Sequence, residues 1–216
     1  MREVDRMTKR GKFIIIDGLD GCGKGTQMKL LEEKLLVFSN VILTREPGGT
    51  LYAEEIRSLI LKGSAKDTSA LTQFFLFLAA RSDHMEKKVI PALLAGTHVI
   101  SDRGDSSTWA FQIYGGKNMT LRERFLETRK WVLGDYEPEL YIVLDMDPET
   151  AFERTRNDTV RERTHFDNQA VDFHARVRAG FLEFSKLFPV RIIDASRSKE
   201  EIHEDIFKAV QEAFGK

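Results

Sequence analysis

The chain predicts an α/β fold, a five-stranded parallel sheet flanked by helices, and two observations lead there. Short runs of Ile, Val and Leu recur along the chain, apolar at odd and even positions alike, as strands buried on both faces must be. Each gap between runs holds apolar residues at helical spacing, and a strand–helix–strand series of this kind closes into a parallel sheet. Strands are expected at about 12–17, 41–44, 97–101, 140–145 and 190–194. Helices are expected at about 24–37, 51–62, 68–95, 120–133, 148–156, 168–187 and 199–214, with Pro91 kinking or splitting the third. Thr120-Leu-Arg-Glu123 reads as a capping box that opens the fourth helix, and Gly134 ends it.

A length of 216 residues suits one domain over 1–216 with a single sizeable core. Residues 1–11 read as a flexible leader, and the Arg-rich, weakly periodic stretch 154–167 as a mobile lid. Lys and Arg number 33 against 34 Asp and Glu, so the balance implies no general affinity for nucleic acid or for an anionic membrane. Any hold on phosphate must come from local clusters. The single cysteine, Cys22, excludes an intramolecular disulfide and suits a reducing compartment. No apolar run approaches the roughly 20 residues of a membrane span, and a cytoplasmic location is expected.

The chemistry begins where the first strand meets the first helix. Phe13-Ile14-Ile15-Ile16 leads into Gly18-Leu19-Asp20-Gly21-Cys22-Gly23-Lys24-Gly25-Thr26, a Gly-x4-Gly-Lys string of P-loop NTPase type. Its glycines let backbone N–H groups converge on phosphate, the helix start adds positive potential, and Lys24 supplies a mobile point charge on an exposed loop. Gly25 stands where Ser or Thr usually reaches Mg²⁺, which passes that duty to Thr26. After the second strand, Thr44-Arg45-Glu46-Pro47-Gly48-Gly49-Thr50 forces a tight turn and sends Arg45 toward the phosphate loop. After the third, Asp102 is placed to hold Mg²⁺ and Arg103 to neutralise phosphate. Phe77 and Arg81 share a helical face, suited to stacking a base and donating to its carbonyl edge, while some of Phe74, Phe75 and Phe77 must pack the core. The five histidines show no metal-ligand spacing. No nucleophile triad stands out, and phosphoryl transfer needs none.

Taken together, these motifs resemble the thymidylate kinase family over nearly the whole chain, with Val132-Leu-Gly-Asp-Tyr-Glu-Pro138 and Asp105-Ser-Ser-Thr108 matching as well. The resemblance implies a nucleoside monophosphate kinase architecture and transfer of the ATP γ-phosphoryl group to dTMP. Carried over by position, residues 18 and 20–26 (Gly18, Asp20, Gly21, Cys22, Gly23, Lys24, Gly25, Thr26) bind ATP. Asp20 accepts from the 3′-hydroxyl, Arg45 and Arg103 clamp the dTMP phosphate, Phe77 stacks on thymine and Arg81 donates to its O4. Thr108 and Gln112 lie along base and sugar, and Phe111 replaces a Tyr beside the 2′ edge. Lys24, Arg103 and Asp102 are implied to be catalytic, with Thr26 and Asp102 as metal ligands. Because Gly21 leaves the loop without an arginine, the closing cation is expected among Arg154, Arg156, Arg161 and Arg163, with Arg163 preferred. Gly104 replaces an aromatic or His and is expected to loosen the sugar side. The implied partners are ATP and dTMP with Mg²⁺, no nucleic acid, no membrane, and a second copy of the chain in a homodimer. Two other readings are a kinase for another monophosphate and a nucleotide-binding regulatory protein. The acceptor-side cluster would have no purpose in the latter.

Overall fold

A computed structural model of the chain describes residues 10–35, 40–62, 65, 67–157, 166 and 169–215. Five strands form close to the expected positions: β1 (Phe13–Gly18), β2 (Val41–Arg45), β3 (His98–Asp102), β4 (Leu140–Asp145) and β5 (Val190–Asp194). All pair in parallel, in the order β2-β3-β1-β4-β5. The helices are α1 (Lys24–Leu35), α2 (Leu51–Leu61), α3 (Ala70–His84), α4 (Ile90–Leu94), α5 (Asp105–Ser107), α6 (Arg122–Leu133), α7 (Pro148–Asn157), α8 (Val171–Phe184) and α9 (Lys199–Phe214).

Central β1 explains the strand pattern. Its side chains alternate between faces, so Ile14 and Ile16 enter one core with Leu31, Val177 and Ile206. Phe13 and Ile15 enter the other with Phe74, Trp109 and Phe125. Edge strand β5 departs from the doubly buried expectation, since Ile192 is exposed.

Two helical expectations are corrected and one is met. The predicted third helix is split just before Pro91: a π-helical turn, Met85–Val89, separates α3 from α4, with the Ile90 N–H reaching Met85 O five residues back, and Pro91 stands in the first turn of α4. The predicted capping box is absent, because a 3₁₀ turn, Met119–Leu121, precedes α6 and no side chain caps it. A working box sits instead at Ser198 and Glu201, opening α9. An unpredicted helical segment runs from Asp105 through a π-helical stretch to Gly115. Trp109, Ala110, Phe111, Gln112 and Ile113 are all buried there, so no polar face marks a helical period. Gly134 ends α6 as expected, at φ 53°.

Parallel pairing brings the carboxyl ends of β1, β2 and β3 to one rim, with Arg45 in register with Asp102 and Ile16 with Asp102. Strand β1 lies between β3 and β4, where the connections change direction, and the crevice outside such a point is where open α/β sheets bind ligands.

Candidate active site

The glycine loop follows β1 directly. Gly21 and Gly23 have φ of 83° and 90°, a region that side chains rarely adopt. Gly21 also lies so close to α7 that a Cβ would come within 2.1 Å of the Ala151 carbonyl oxygen. Lys24 opens α1 but is not exposed, which corrects the expectation. It is 8% accessible, with Nζ 3.4 Å from Asp102 Oδ1. One pocket is lined by Gly21, Gly23, Lys24, Gly25 and Thr26 together with Arg154 and Thr155 of α7. The Cys22 side chain turns away into the core with Leu19, and burial pushes its thiol above the ordinary range.

Arg103 ties this loop to the sheet rim. Its Nη1 donates to Asp17 Oδ1 (3.0 Å), Gly18 O (3.1 Å) and Ser107 Oγ (3.0 Å), and its Nη2 donates to Asp20 Oδ1 (2.9 Å). Burial alone would ease its proton off, but Asp20 and Asp17 outweigh that and hold the guanidinium firmly charged. Asp17 is fully buried, and burial pushes its carboxyl up against the pull of Arg103 and Lys24. The Ser106 hydroxyl donates to it at 2.7 Å. Arg103 itself sits at φ 69°, a left-handed conformation costly for a side-chain-bearing residue and typical of functional sites.

A second pocket adjoins the first and shares Asp20, Arg57 and Arg103 with it. Phe77, Phe111 and Phe166 give it aromatic walls, and Arg57, Arg81, Arg103 and Gln112 give it donors. Of the three phenylalanines in α3, Phe74 is buried in the core and Phe75 exposed, leaving Phe77 for the pocket. Arg81 is buried, its Nε donating to Glu46 Oε2 at 2.7 Å. Burial lifts the Glu46 carboxyl, yet Arg81 and His84 overcome this and hold it below the ordinary carboxylate range.

Other expected residues fall elsewhere. Thr108 does not line the pocket but stands behind it, accepting from Arg81 Nη2 at 3.0 Å. Arg45 is exposed and paired with Glu54 rather than directed into the phosphate loop, in a neighbouring groove that shares Asp102 with the glycine-loop pocket. Gly104 leaves no hole on the core side, because a Cβ there would come within 2.3 Å of Ile15 Cδ1. The Phe111 ring lies under the Arg103 guanidinium, 5.1 Å from its centroid. Arg154 lines the first pocket and Arg156 lies over the Phe152 ring. Arg161 and the preferred Arg163 lie outside the described residues, as do residues 1–9 of the leader and 158–165 and 167 of the lid.

Sequence reasoning missed Arg57, Ser107 and Phe166, all of which line the second pocket. Arg57 had a usable signal: it shares the buried face of α2 with Ala53 and Ile60, where an arginine needs a reason. Burial and the nearby Arg45 charge lower its proton affinity. Phe166 had no such signal, being an isolated aromatic in a polar stretch.

A profile of the thymidylate kinase family matches residues 16–206. A thymidylate kinase of Ruthia magnifica subsp. Calyptogena magnifica is 39% identical over 201 residues, which span 92% of this chain and 96% of that protein. One from Ruegeria pomeroyi is 40% identical over 207 residues, spanning 94% and 96%. The crystal structure of thymidylate kinase from Ehrlichia chaffeensis is similar at TM-score 0.75 and 29% identity, covering 94% of this chain and all of that one (100%).

Proposed function

The chain belongs to the thymidylate kinase family and is a dTMP kinase, and from that premise we propose how its side chains divide the work of moving the ATP γ-phosphoryl group to dTMP. One observation carries the assignment. Asp20, Arg57 and Arg103 line both pockets, so the glycine-loop cavity and the aromatic cavity meet at a seam bearing two guanidinium groups. ATP phosphates belong on the glycine loop (Gly18 to Thr26) and dTMP belongs in the aromatic pocket. Their phosphates repel, and Lys24, Arg57 and Arg103 cancel that repulsion while holding the oxygens in line.

On the acceptor side Phe77 stacks on thymine, Arg81 and Gln112 donate to the base, and Phe111 flanks the sugar. Asp20 accepts from the 3′-hydroxyl. Thr108 acts by holding Arg81. Arg45 reaches the acceptor phosphate by exchanging Glu54 for it. The chain is proposed to act as one domain over 1–216.

Mg²⁺ fits beside Asp102 and Thr26. Asp102 Oδ1 is a buried carboxylate oxygen that accepts no hydrogen bond among the described residues, with the Lys24 ammonium 3.4 Å away, and Thr26 lines the same pocket. Among the described residues no cluster of three or more His, Cys, Asp or Glu forms a cage, so phosphate and water would complete the shell. Bound with ATP, the ion would neutralise charge on the phosphate oxygens. A Cβ at Gly25 would meet nothing within 4 Å, so space does not forbid a hydroxyl there.

We also propose a cytoplasmic homodimer. No helix among the described residues is long and apolar enough to cross a membrane, and Phe75 on α3 and Leu126 on α6 are exposed. Sedimentation at about twice the 24.8 kDa chain mass is expected, and a monomer at micromolar concentration would refute the pairing.

The functional test is coupled ADP release across nucleoside monophosphates. Turnover should be fastest with dTMP, and a faster acceptor would sink the base assignment. Arg57→Ala should lower kcat/KM for dTMP by about 10–100-fold, the worth of a charge-assisted hydrogen bond. An unchanged value would remove Arg57 from the seam.

A further inference from the structure

We propose that His84 is a positioning residue for nucleobase recognition, acting through Glu46 to aim Arg81. The proposal rests on the reading of Arg81 as a base contact and adds the group that holds it. His84 is fully buried and does not line the pocket, so any effect it has on the acceptor must pass through other side chains.

The geometry begins with two periodicities. Arg81 and His84 lie three apart on α3 and share one face. Thr44 and Glu46 lie two apart at the end of β2, as residues on one side of an extended chain do. The four interlock. Arg81 Nε donates to Glu46 Oε2 at 2.7 Å, while His84 Nδ1 meets Glu46 Oε1 at 3.1 Å. His84 Nε2 then meets Thr44 Oγ1 at 2.7 Å. An ionised carboxylate only accepts, so Nδ1 carries the proton of the bond to Glu46.

Each Glu46 oxygen is thus claimed by one donor from a single turn of α3. Without His84 the carboxylate would be held through Oε2 alone and would be free to rotate about its own axis. Arg81 would turn with it, because Glu46 and Thr108 are what fix the guanidinium plane. The ring also seats the turn that carries Glu46 and Pro47. Gly49, at φ 89°, is pressed against it, and a Cβ there would fall 2.7 Å from His84 Cδ2. One imidazole therefore registers the helix bearing Arg81 against the loop that brings Glu46 and Pro47 to the pocket.

Two substitutions separate its bonds. His84→Asn keeps an N–H near Nδ1 and loses the reach to Thr44, whereas His84→Gln reaches toward Thr44 and loses the Nδ1 donor. His84→Gln is expected to raise the KM for dTMP about tenfold, with kcat and the KM for ATP within about twofold. His84→Asn is expected to stay within about threefold of wild type for all three. In an Arg81→Ala background, His84→Gln should add less than about twofold to the KM for dTMP, because the aimed group is gone. If Arg81→Ala alone leaves the KM for dTMP unchanged, the base-contact reading fails. If Arg81→Ala raises it but His84→Gln does not, or if the two effects multiply, His84 does not act through Arg81 and the proposal is overturned. Equal losses in both His84 variants, with the KM for ATP rising in parallel or with insoluble protein, would make the residue structural only.

Discussion

Replacing Lys24 with Met is expected to lower phosphoryl transfer on the order of 10²–10³-fold while the fold survives, the usual cost of losing one preorganised charge donor in a closed site. Lys24 opens α1 directly after Gly23, which has φ 90°, and lines the pocket where the triphosphate is proposed to sit. Its partner Asp102 keeps a third of its side chain accessible (33%), so the carboxylate stays partly hydrated without the ion pair although Oδ1 itself is buried. Met keeps the apolar stem, leaving a stability cost of about 1 kcal/mol or less, a shift of about 2–4 °C in Tm for a chain of this length. Wild-type turnover in Lys24→Met would remove the residue from the reaction. A collapse in Tm would make it structural instead.

Arg103→Met should damage both properties at once. Asp17 is fully buried, and Arg103 is its direct ion-pair partner. Breaking a buried pair from one side leaves an uncompensated charge, at a cost of about 3 kcal/mol given that Asp17 keeps its bonds to Ser106, Ser107 and the Gly18 N–H. Tm should fall by about 6–12 °C. Transfer should fall on the order of 10²–10³-fold, because Arg103 lines both pockets and stands where donor and acceptor phosphates are proposed to meet. The pH dependence has a definite sign. Burial already raises the Asp17 carboxyl, and losing Arg103 raises it further above its unfolded value. A raised acid binds its proton more tightly in the folded state, so the deficit is largest at neutral pH and shrinks as pH falls through the folded value. Thermal scans of wild type and variant at pH 7 and pH 5 should show the gap in Tm narrowing. A gap that widens toward acid would mean that Asp17 is not the group left stranded.

Much of the site was legible because its residues hang on strand ends. A buried strand announces itself by composition, and whatever follows it must emerge at the carboxyl rim. Asp102 and Arg103 were found by that rule, Lys24 by the glycine-loop motif and Asp20 by the family resemblance, and the four line one pocket. Arg45 obeyed it only in its backbone. Its side chain swings to Glu54, a partner supplied by α2 that no local pattern pairs with it. Thr108 was placed against the substrate when it stands one layer behind, because the segment from Asp105 to Gly115 is buried all round and shows no period.

Local chemistry along the chain determined the parallel sheet, the glycine loop and the identity of the charged residues at the rim, since each depends on near neighbours and on burial alone. Which cation faces which anion was settled by packing. Arg103 reaches Asp17 and Asp20, more than eighty positions away, only because parallel pairing brings β3 beside β1. Arg57 enters the seam only because α2 lies beside it, and His84 becomes a buttress only where α3 crosses the end of β2. Such contacts join residues with no shared periodicity, so nothing along the polymer encodes them until the elements dock.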